Sequence, residues 1–297
     1  MARHIFTSLL FIFFLSFSGS VVAQEDWQKL LDEGSGESEK VIASFKTTRI
    51  INAQSIETVK RQTLDFRVGH RFGTLNAPGG VFHTWFGLDV SSDIRLGFEY
   101  GITDRLTVGF SRNKMHEHLQ GLIKYRLLEQ TLNNKMPFSV TVYGDANFTP
   151  ERDTDSSYVK WEHRLSYITQ VMIARKFSQG ITLQLMPLWS HRNYIRDYLD
   201  ENDLFALGIG GRIKFMKRAA FIFDYYQVLS KYRLDPATTY YPPLGLGVEI
   251  ETGGHVFSIM FTNSAGINET DFIPHTTDNW LDGGVRFAFN ISRVFHF

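Results

Sequence analysis

The chain has 297 residues, with 31 basic and 31 acidic side chains, no cysteine and an aromatic share of 14%. The charge balance argues against a nucleic-acid partner, and a chain without cysteine has neither a disulfide framework nor a lipid anchored on cysteine. These values fit a soluble β protein and a membrane barrel equally, so the pattern along the chain has to decide between them.

The N-terminus has the pattern of a secretory signal peptide. Arg3 and His4 give it a positive start, an apolar core follows over residues 5–17, and small residues precede a cleavage site before Gln24. The apolar run is shorter than the roughly 20 residues that a helical span needs. No later segment approaches the roughly 18 consecutive apolar residues that indicate such a span. We therefore predict that residues 1–23 are a cleaved signal peptide that exports the chain.

The next stretch, residues 24–62, differs from both of its neighbours. Residues 27–31 can form one amphipathic turn, and GSGESEK at 34–40 is typical of a flexible linker. The segment FKTTRIINAQSIETV at 45–59 is polar and β-branched, which indicates a small hairpin around Asn52–Gln54. We interpret residues 24–62 as a short N-terminal periplasmic extension or a partial plug.

From Leu64 onwards, apolar and polar residues alternate with a period of two. In the first such segment Leu64 and Phe66 share one face, while Asp65 and Arg67 share the other. The alternation recurs to the C-terminus in about twelve segments of 9–11 residues, the length of a tilted strand that crosses a bilayer. The sequence thus predicts an all-β fold, a transmembrane antiparallel β-barrel over residues 63–297 with about 12 strands. An even count suits a bacterial barrel whose two ends both lie on the periplasmic side.

The connections between the segments alternate in length, as the periplasmic turns and extracellular loops of outer-membrane barrels do. The short connections are residues 102–104, 176–180, 216–218 and 252–254, and the long ones are residues 73–91, 150–161, 191–203, 230–243 and 264–282. Two connections depart from this rhythm, a short outer one at 113–117 and a long inner one at 129–137. A soluble β-sandwich gives no reason for such an alternation.

Charged residues within the strands lie on the face opposite the aromatic residues. An outward Arg or Lys at the bilayer midplane costs about 2–4 kcal/mol, so the apolar face is predicted to meet lipid and the charges to line the lumen. His70 and Arg293 depart from this rule near strand ends, where side chains can reach the headgroups. The charged residues predicted to line the lumen are Arg67, Arg71, Asp93, Arg95, Glu99, Lys124, Arg126, Arg212, Lys214, Asp224, Glu249 and Glu251.

Two interpretations of these charges remain open. The first two strands place Asp93 near Arg71 and Glu99 near Arg67, which fits an ion-pair network that fills and supports a narrow barrel. The middle strands are mostly basic and the tenth is mostly acidic, which fits a transverse field across a solute channel. Eight strands enclose a filled interior and 16–18 leave open water, so twelve strands have an intermediate width.

Histidines are frequent in the long loops, and imidazole is a common metal ligand. His116 and His118 are weak candidates for a metal or haem site. They lie two positions apart on a short loop, which is also typical of histidines that are exposed to solvent. No nucleophile, base and orienting group occur together in a known motif, so we predict that the chain is not an enzyme and needs no cofactor.

The last strand, GGVRFAFNISRVFHF at 283–297, carries large aromatic residues on one face and ends on a phenylalanine. It resembles the C-terminal strand of Gram-negative outer-membrane β-barrels. In those proteins the terminal aromatic strand is the signal that the barrel-assembly machinery reads. The resemblance implies that Phe295 and Phe297 form the assembly signal and that this machinery is a partner.

A wider resemblance covers most of the mature chain. The segments FKTTRIINAQSIET (45–58), LDFRVGHRFG (64–73), FHTWFGLD (82–89), IRLGFEYGITDRLTVG (94–109) and IKYRLL (123–128) resemble a family of outer-membrane barrels catalogued as a domain of unknown function. The resemblance implies the fold and an outer-membrane location in contact with lipid, and it carries over no site.

Three functions follow as hypotheses. The first is a narrow channel or small-solute transporter. The second is a structural or scaffold barrel that docks a periplasmic or surface partner, in the periplasm through residues 24–62. The third is a barrel enzyme that acts on lipid. The sequence names no solute and no partner, and it gives no oligomeric state.

Overall fold

The computed structural model describes residues 39–77, 81–154 and 156–297. The predicted signal peptide, the amphipathic turn at 27–31 and all but the last two residues of the linker at 34–40 lie outside the described residues. The boundaries of the signal peptide and of the N-terminal extension therefore stay predictions.

Twelve strands form one closed barrel, and each strand is antiparallel to both of its neighbours. This confirms the fold class predicted from the alternation. The strands are β1 (Thr63–Thr74), β2 (Ser91–Gly101), β3 (Leu106–Asn113), β4 (Leu119–Leu128), β5 (Ser139–Phe148), β6 (Leu165–Lys176), β7 (Ile181–Arg192), β8 (Asp203–Met216), β9 (Ala219–Leu229), β10 (Leu244–Glu251), β11 (His255–Thr262) and β12 (Arg286–His296).

Helices occur only in the connections of the described chain, and all are short. Two α-helices, α1 (Lys231–Leu234) and α2 (Glu269–His275), accompany 3-10 turns at Met115–Glu117, Trp161–Arg164 and Trp280–Asp282. Within the described ranges, no helix is both long and apolar enough to cross a membrane.

The barrel closes through β1 and β12, which pair in register from Thr63 opposite His296 to Arg71 opposite Ala288. The backbone N–H of Phe297 extends this pairing by donating to the carbonyl of Gln62 at 3.2 Å. Closure satisfies the backbone groups of both edge strands, each of which would cost several kcal/mol if left unpaired in hydrocarbon.

The two ends of the barrel differ, as the connection lengths predict. At the end that we call the turn end, β2–β3, β6–β7, β8–β9 and β10–β11 are joined by two to four residues, and β4–β5 by residues 129–138. The opposite end, the loop end, carries all the helices of the described residues. The chain enters at the turn end, where Val41 N–H donates to the carbonyl of Gln130 at 2.8 Å.

The side chains of the wall alternate between an exposed apolar set and a buried polar set. On the outer face Leu96 and Phe221 are 44% and 53% exposed, whereas Arg71 and Asp224 on the inner face are 0% exposed. This division keeps charge out of hydrocarbon, where a basic side chain at mid-depth costs about 2–4 kcal/mol.

Outward polar side chains are accommodated by aromatic neighbours. His70 stacks on Phe289 with ring centroids 5.4 Å apart, and the Arg293 guanidinium lies 4.9 Å from the centre of the Phe295 ring. A cation on a ring face keeps part of its electrostatic stabilisation outside bulk water. Arg293 lies three residues before the end of β12, where its head group can reach the interface.

Pro187 interrupts one ladder within β7 without ending the strand. The pairing of β7 with β6 skips from Leu188 opposite Gln170 to Leu185 opposite Ile173, in unchanged register. On its other side Pro187 pairs with Leu207 of β8. Proline lacks a backbone N–H, so the gap lies where β7 faces β6.

Candidate functional site

The lumen holds a segment that is not part of the wall, residues 44–59, which we call the lumen hairpin. Its turn is closed by Ile50 N–H donating to the Ala53 carbonyl at 2.8 Å and by Ser55 N–H donating to the Thr48 carbonyl at 2.9 Å. Arg49 and Gln54 form an antiparallel bridge across it. Nearly all of its side chains are buried, although the sequence is rich in polar residues.

Asp224 on β9 holds the tip of the lumen hairpin. Its Oδ2 accepts the backbone N–H groups of Ile51, Asn52 and Ala53 at 3.0, 2.7 and 2.8 Å. Its Oδ1 accepts from the side-chain amide of Asn52 at 2.9 Å. Successive backbone N–H groups that converge on one oxygen form an anion-binding nest. These four donors favour the charged form of the carboxylate and offset part of the cost of burying it.

Other wall residues bind the carbonyl groups of the lumen hairpin. Lys124 Nζ on β4 donates to the Thr48 carbonyl at 2.7 Å. On β1, Arg71 Nη2 donates to the Ile51 carbonyl at 3.0 Å. Charges predicted to line a lumen thus make hydrogen bonds to buried backbone carbonyl groups of the hairpin.

Neutral wall residues complete the contact on β5 and β7. Gln184 on β7 donates to the Gln54 carbonyl at 2.8 Å and accepts from Ile56 N–H at 2.7 Å. Thr141 on β5 donates its hydroxyl proton to the Ile56 carbonyl at 2.9 Å. The hairpin is therefore fastened to several sides of the wall at once.

Two glycines of the wall allow this close approach. A Cβ atom added at Gly210 on β8 would lie 2.7 Å from Ile50 Cδ1, and one added at Gly245 on β10 would lie 2.6 Å from Ile51 Cγ2. Both distances are shorter than a van der Waals contact. The local sequence gives neither glycine this role, because their partners are far away in the chain.

The connection from β11 to β12, residues 263–285, is the last loop, and it folds inwards over the lumen hairpin. Helix α2 lies within it, and Glu269 at its start is fully buried. Glu269 Oε1 accepts from Arg49 Nη2 at 2.7 Å and from Gln54 Nε2 at 3.1 Å. A long loop predicted to face the outside therefore closes the lumen from the loop end. Nothing in the sequence indicated Glu269, because its partners are more than 200 positions away.

The twelve charged residues predicted to line the lumen occupy three kinds of position. Buried inside the barrel are Arg67, Arg71, Asp93, Arg95, Glu99, Lys124, Arg212, Asp224 and Glu249, while Arg126 and Glu251 are half-buried and Lys214 is exposed near the end of β8. Several form ion pairs, such as Arg212 with Glu249 at 2.9 Å and with Glu251 at 2.8 Å. Their role in passage stays a prediction.

The predicted neighbours Arg71 and Asp93 face each other across β1 and β2, yet each is bonded elsewhere. Asp93 accepts from Asn113 Nδ2 at 3.0 Å and from the backbone N–H of Ile267 at 2.9 Å. It therefore ties the last loop to the wall, while Arg71 ties the lumen hairpin to it.

Above α2, at the loop end, lies a cavity of about 490 Å3, the outer cavity. Residues from five loop-end connections and the adjoining strand ends line it. Arg192 Nη2 and Arg233 Nη2 both bind Asp200 Oδ2, at 3.0 and 2.9 Å. Burial raises the pKa of Asp200, but the two guanidinium groups outweigh it and leave that pKa below its ordinary value.

The histidines of this region pair with carboxylates. His116 Nδ1 lies 3.3 Å from Glu151 Oε2, and His118 Nε2 lies 3.1 Å from Asp271 Oδ1 on α2. Burial lowers the pKa of His118, but the Asp271 carboxylate outweighs it and raises that pKa above its ordinary value. Burial lowers the pKa of His275 to about 4. Within residues 39–77, 81–154 and 156–297, no three His, Cys, Asp or Glu side chains group as metal ligands do.

At the other end of the barrel, Phe295 and Phe297 lie on and after β12 at the turn end. Phe297 is 80% exposed, so its ring is accessible. Their role as the signal for barrel assembly stays a prediction.

A family model described as a membrane-bound β-barrel domain, DUF5777, matches residues 45–295 and confirms the family resemblance. Among solved structures, the NanC porin is 10% identical over 79% of this chain and 99% of its own, with a TM-score of 0.47. The KdgM porin is 8% identical over the same shares, also with a TM-score of 0.47. LpxR from Salmonella typhimurium is 10% identical over 79% of this chain and 100% of its own, with a TM-score of 0.36. No curated protein sequence matches the chain significantly.

Proposed function

We propose that this chain, which belongs to the membrane-bound β-barrel domain family DUF5777, is a gated outer-membrane channel for small solutes. In the proposal the signal peptide exports the chain, and the lumen hairpin is the gate. The conformation described above is then the closed state.

One observation carries the proposal, namely that the lumen is closed by a segment that does not belong to the wall. A twelve-stranded barrel is wider than the eight-stranded barrels that side chains alone can fill. Here the remaining space is taken by residues 44–59, whose covalent link to the wall is the short stretch 60–62 that leads into β1 at the turn end. Such a segment can leave the lumen without breaking any strand pairing.

The nature of the contact also favours a removable gate. The hairpin is held by hydrogen bonds from polar wall groups such as Lys124 and Gln184. Water can replace these partners, so the net contribution of each hydrogen bond is about 1 kcal/mol for a neutral pair and about 1.5–3 kcal/mol where one group is charged. After the hairpin leaves, the same polar groups would line an aqueous passage.

A scaffold barrel is the second candidate, and the Arg49–Glu269 pair favours it. The pair is 2.7 Å long with side-chain exposures of 1% and 0%. Removing one partner of such a pair is costly, because the other charge stays buried and unpaired. A permanently closed barrel would then serve to dock a partner, in the periplasm through residues 24–62. A barrel enzyme that acts on lipid is third, and lipid turnover would reveal it.

The test is conductance in planar bilayers. We expect the full chain to conduct rarely, and a variant that lacks residues 44–58 to conduct in stable single-channel steps. A variant that lacks residues 24–38 keeps the lumen hairpin and is the matched control, so it should behave like the full chain. Heat-modifiable mobility on gels would show that each barrel has folded. A folded deletion variant that does not conduct would favour the scaffold barrel.

A further inference from the structure

The outer cavity carries a second inference, because its charges and rings form a pattern that the gate does not use. Residues from five loop-end connections contribute to it. Its volume of about 490 Å3 is within the range of small-molecule sites, which is roughly 300–1,000 Å3.

The side chains that line the outer cavity have an excess of positive charge. Four guanidinium groups and three carboxylates line it, and they belong to Arg164, Arg192, Arg196, Arg233, Asp197, Asp200 and Asp271. One carboxylate, Asp200, serves both Arg192 and Arg233. Asp271 is engaged by His118, and Asp197 accepts the hydroxyl proton of Tyr232 at 2.7 Å.

Arg164 is a half-buried cation of this cavity with free donors. Its Nη1 donates to the carbonyl groups of Thr149 and Glu151 at 2.9 and 2.7 Å, which fixes the guanidinium in place. Among the described residues no carboxylate forms an ion pair with it, and its Nε and Nη2 make no hydrogen bond. These two nitrogens form one edge of the planar fork, the arrangement that binds a carboxylate or phosphate through two parallel bonds.

Aromatic rings lie close to the Arg164 guanidinium. The Arg164 guanidinium lies 4.5 Å from the centre of the Tyr158 ring, and Tyr194 meets Tyr158 edge-on with centroids 5.3 Å apart. Tyr194 also stacks with His163 at 6.1 Å. Rings that line a polar cavity offer flat surfaces to a sugar or an aromatic ring.

We propose that the outer cavity binds a small organic anion, a carboxylate or phosphate ester on a sugar or aromatic ring. Arg164 receives the anionic group through Nε and Nη2, and Tyr158 and Tyr194 pack against the ring. Arg192 and Arg233, which share Asp200, add positive potential. Both kinds of ligand carry an anionic group on a ring, and the titration probes distinguish a carboxylate from a phosphate.

Helix α2 separates this cavity from the lumen hairpin. Asp271 and His275 line the cavity, while Glu269 on the same helix binds Arg49 and Gln54 of the hairpin. An anion in the cavity is therefore next to the helix that binds the gate. We expect binding to change the rate at which the proposed channel opens, and this expectation rests on the proposed function. The binding of the anion itself does not.

The test is calorimetric titration of the detergent-solubilised full chain with glucuronate, glucose 6-phosphate, 4-hydroxybenzoate, glucose and inorganic phosphate. We expect at least one anionic ring probe to bind at one site, and glucose to bind roughly 10- to 100-fold more weakly because it lacks a charge-assisted bidentate contact. Arg164→Gln should weaken the anionic ring probe by a similar factor. Arg218→Gln, at the turn end, is the matched control and should not change the affinity.

Tyr194→Leu tests the part of the ring in recognition. It should weaken the ring-bearing anion and leave inorganic phosphate unchanged. Equal affinity for glucose and for the anionic probes would overturn the proposal, as would an unchanged affinity of the Arg164→Gln protein. Inorganic phosphate that binds as tightly as every ring-bearing probe would also overturn it. None of these measurements uses conductance, so their outcome is independent of the proposed channel.

Discussion

Asp224 shows how one buried side chain can decide the position of a whole segment. Alone, a carboxylate inside a barrel would lose the water that stabilises its charge. Here it gains three backbone N–H donors and one amide donor from Ile51, Asn52 and Ala53. The turn of the hairpin and the carboxylate therefore satisfy each other's hydrogen-bonding groups.

Asp224→Asn should loosen the lumen hairpin. The amide places a donor where the carboxylate accepts, and hydrogen bonds to a charged group contribute roughly 1.5–3 kcal/mol each. We expect the backbone amides of residues 51–53 to exchange with deuterium at least tenfold faster. Asp65→Asn is the matched control, since Asp65 is also buried but binds Arg67 and Ser292 of the wall. Equal exchange in both variants would show that Asp224 does not hold the tip.

The last loop should loosen as the pH rises. Facing His118 are Asp271 on α2, Asp93 on β2, Asp145 on β5 and the Thr149 hydroxyl. Its pKa is raised in the folded chain, so its stabilising contribution is complete below the ordinary pKa of about 6.5. This contribution is lost as the pH rises through the raised value.

The measurement for this pH effect is the rate of proteolysis within residues 263–285 between pH 6 and pH 9. The rate should increase with pH in the native chain, and His118→Gln should remove most of the dependence. A control cleavage site in residues 193–202 corrects for the activity of the protease. The same pH dependence in His118→Gln would assign the effect to another group.

At the scale of elements, the strands could be predicted from the sequence because the environment of each strand makes apolar and polar residues alternate with a period of two. Each strand has lipid on one side and polar groups on the other, so the alternation in β2 or β12 needs no distant partner. The hairpin turn was predicted near Asn52–Gln54 for a similar local reason, and the structure closes it between Ile50 and Ala53. Its position inside the barrel depends on Asp224, 173 positions away, and no local pattern encodes that contact.

Helix α2 shows the same limit more clearly. The last loop was expected among the long outer loops, and its length gave no sign that it folds inwards. Its position depends on Asp93 binding Ile267 N–H and on Arg49 binding Glu269, which lie at separations of 174 and 220 positions. The candidate site is thus built from long-range contacts, whereas the wall is built from local ones.

The two faces of β2 give a prediction for this element. Leu96→Arg should block stable insertion, because its outward side chain would enter hydrocarbon at a cost of about 2–4 kcal/mol. Glu99→Gln is the control on the same strand, since Glu99 is buried inside and lies 3.9 Å from Lys124 Nζ. Refolding into lipid vesicles, followed by heat-modifiable mobility, measures both variants. Normal insertion of Leu96→Arg together with failure of Glu99→Gln would mean that the faces are reversed.

At the scale of the whole molecule, the structure has three parts, namely the wall, the lumen hairpin that we propose as the gate, and the last loop that covers it. The wall is a closed ring of strands whose pairing is complete without the other two parts. The lumen hairpin fills the ring from the turn end, and the last loop covers it from the loop end. Because Arg49 and Glu269 join the gate to the cover, the two parts should move together.

A reversible disulfide between the lumen hairpin and the wall tests whether the hairpin closes the proposed channel. A Cβ atom added at Gly245 would lie 3.0 Å from Ile51 Cβ, close to the roughly 3.5–4.5 Å of a disulfide. The native chain has no cysteine, so Ile51→Cys with Gly245→Cys introduces the only two thiols. The pair is placed in the Asp224→Asn chain, whose hairpin is loosened.

The measurement is single-channel conductance of this triple variant in planar bilayers, before and after reduction. Each single cysteine variant in the same background is a control and should not respond to the reductant. We predict a closed barrel while the disulfide is intact and stable conductance steps once it is reduced. Equal conductance in the oxidised and reduced states, with the disulfide verified by mass spectrometry, would contradict the account.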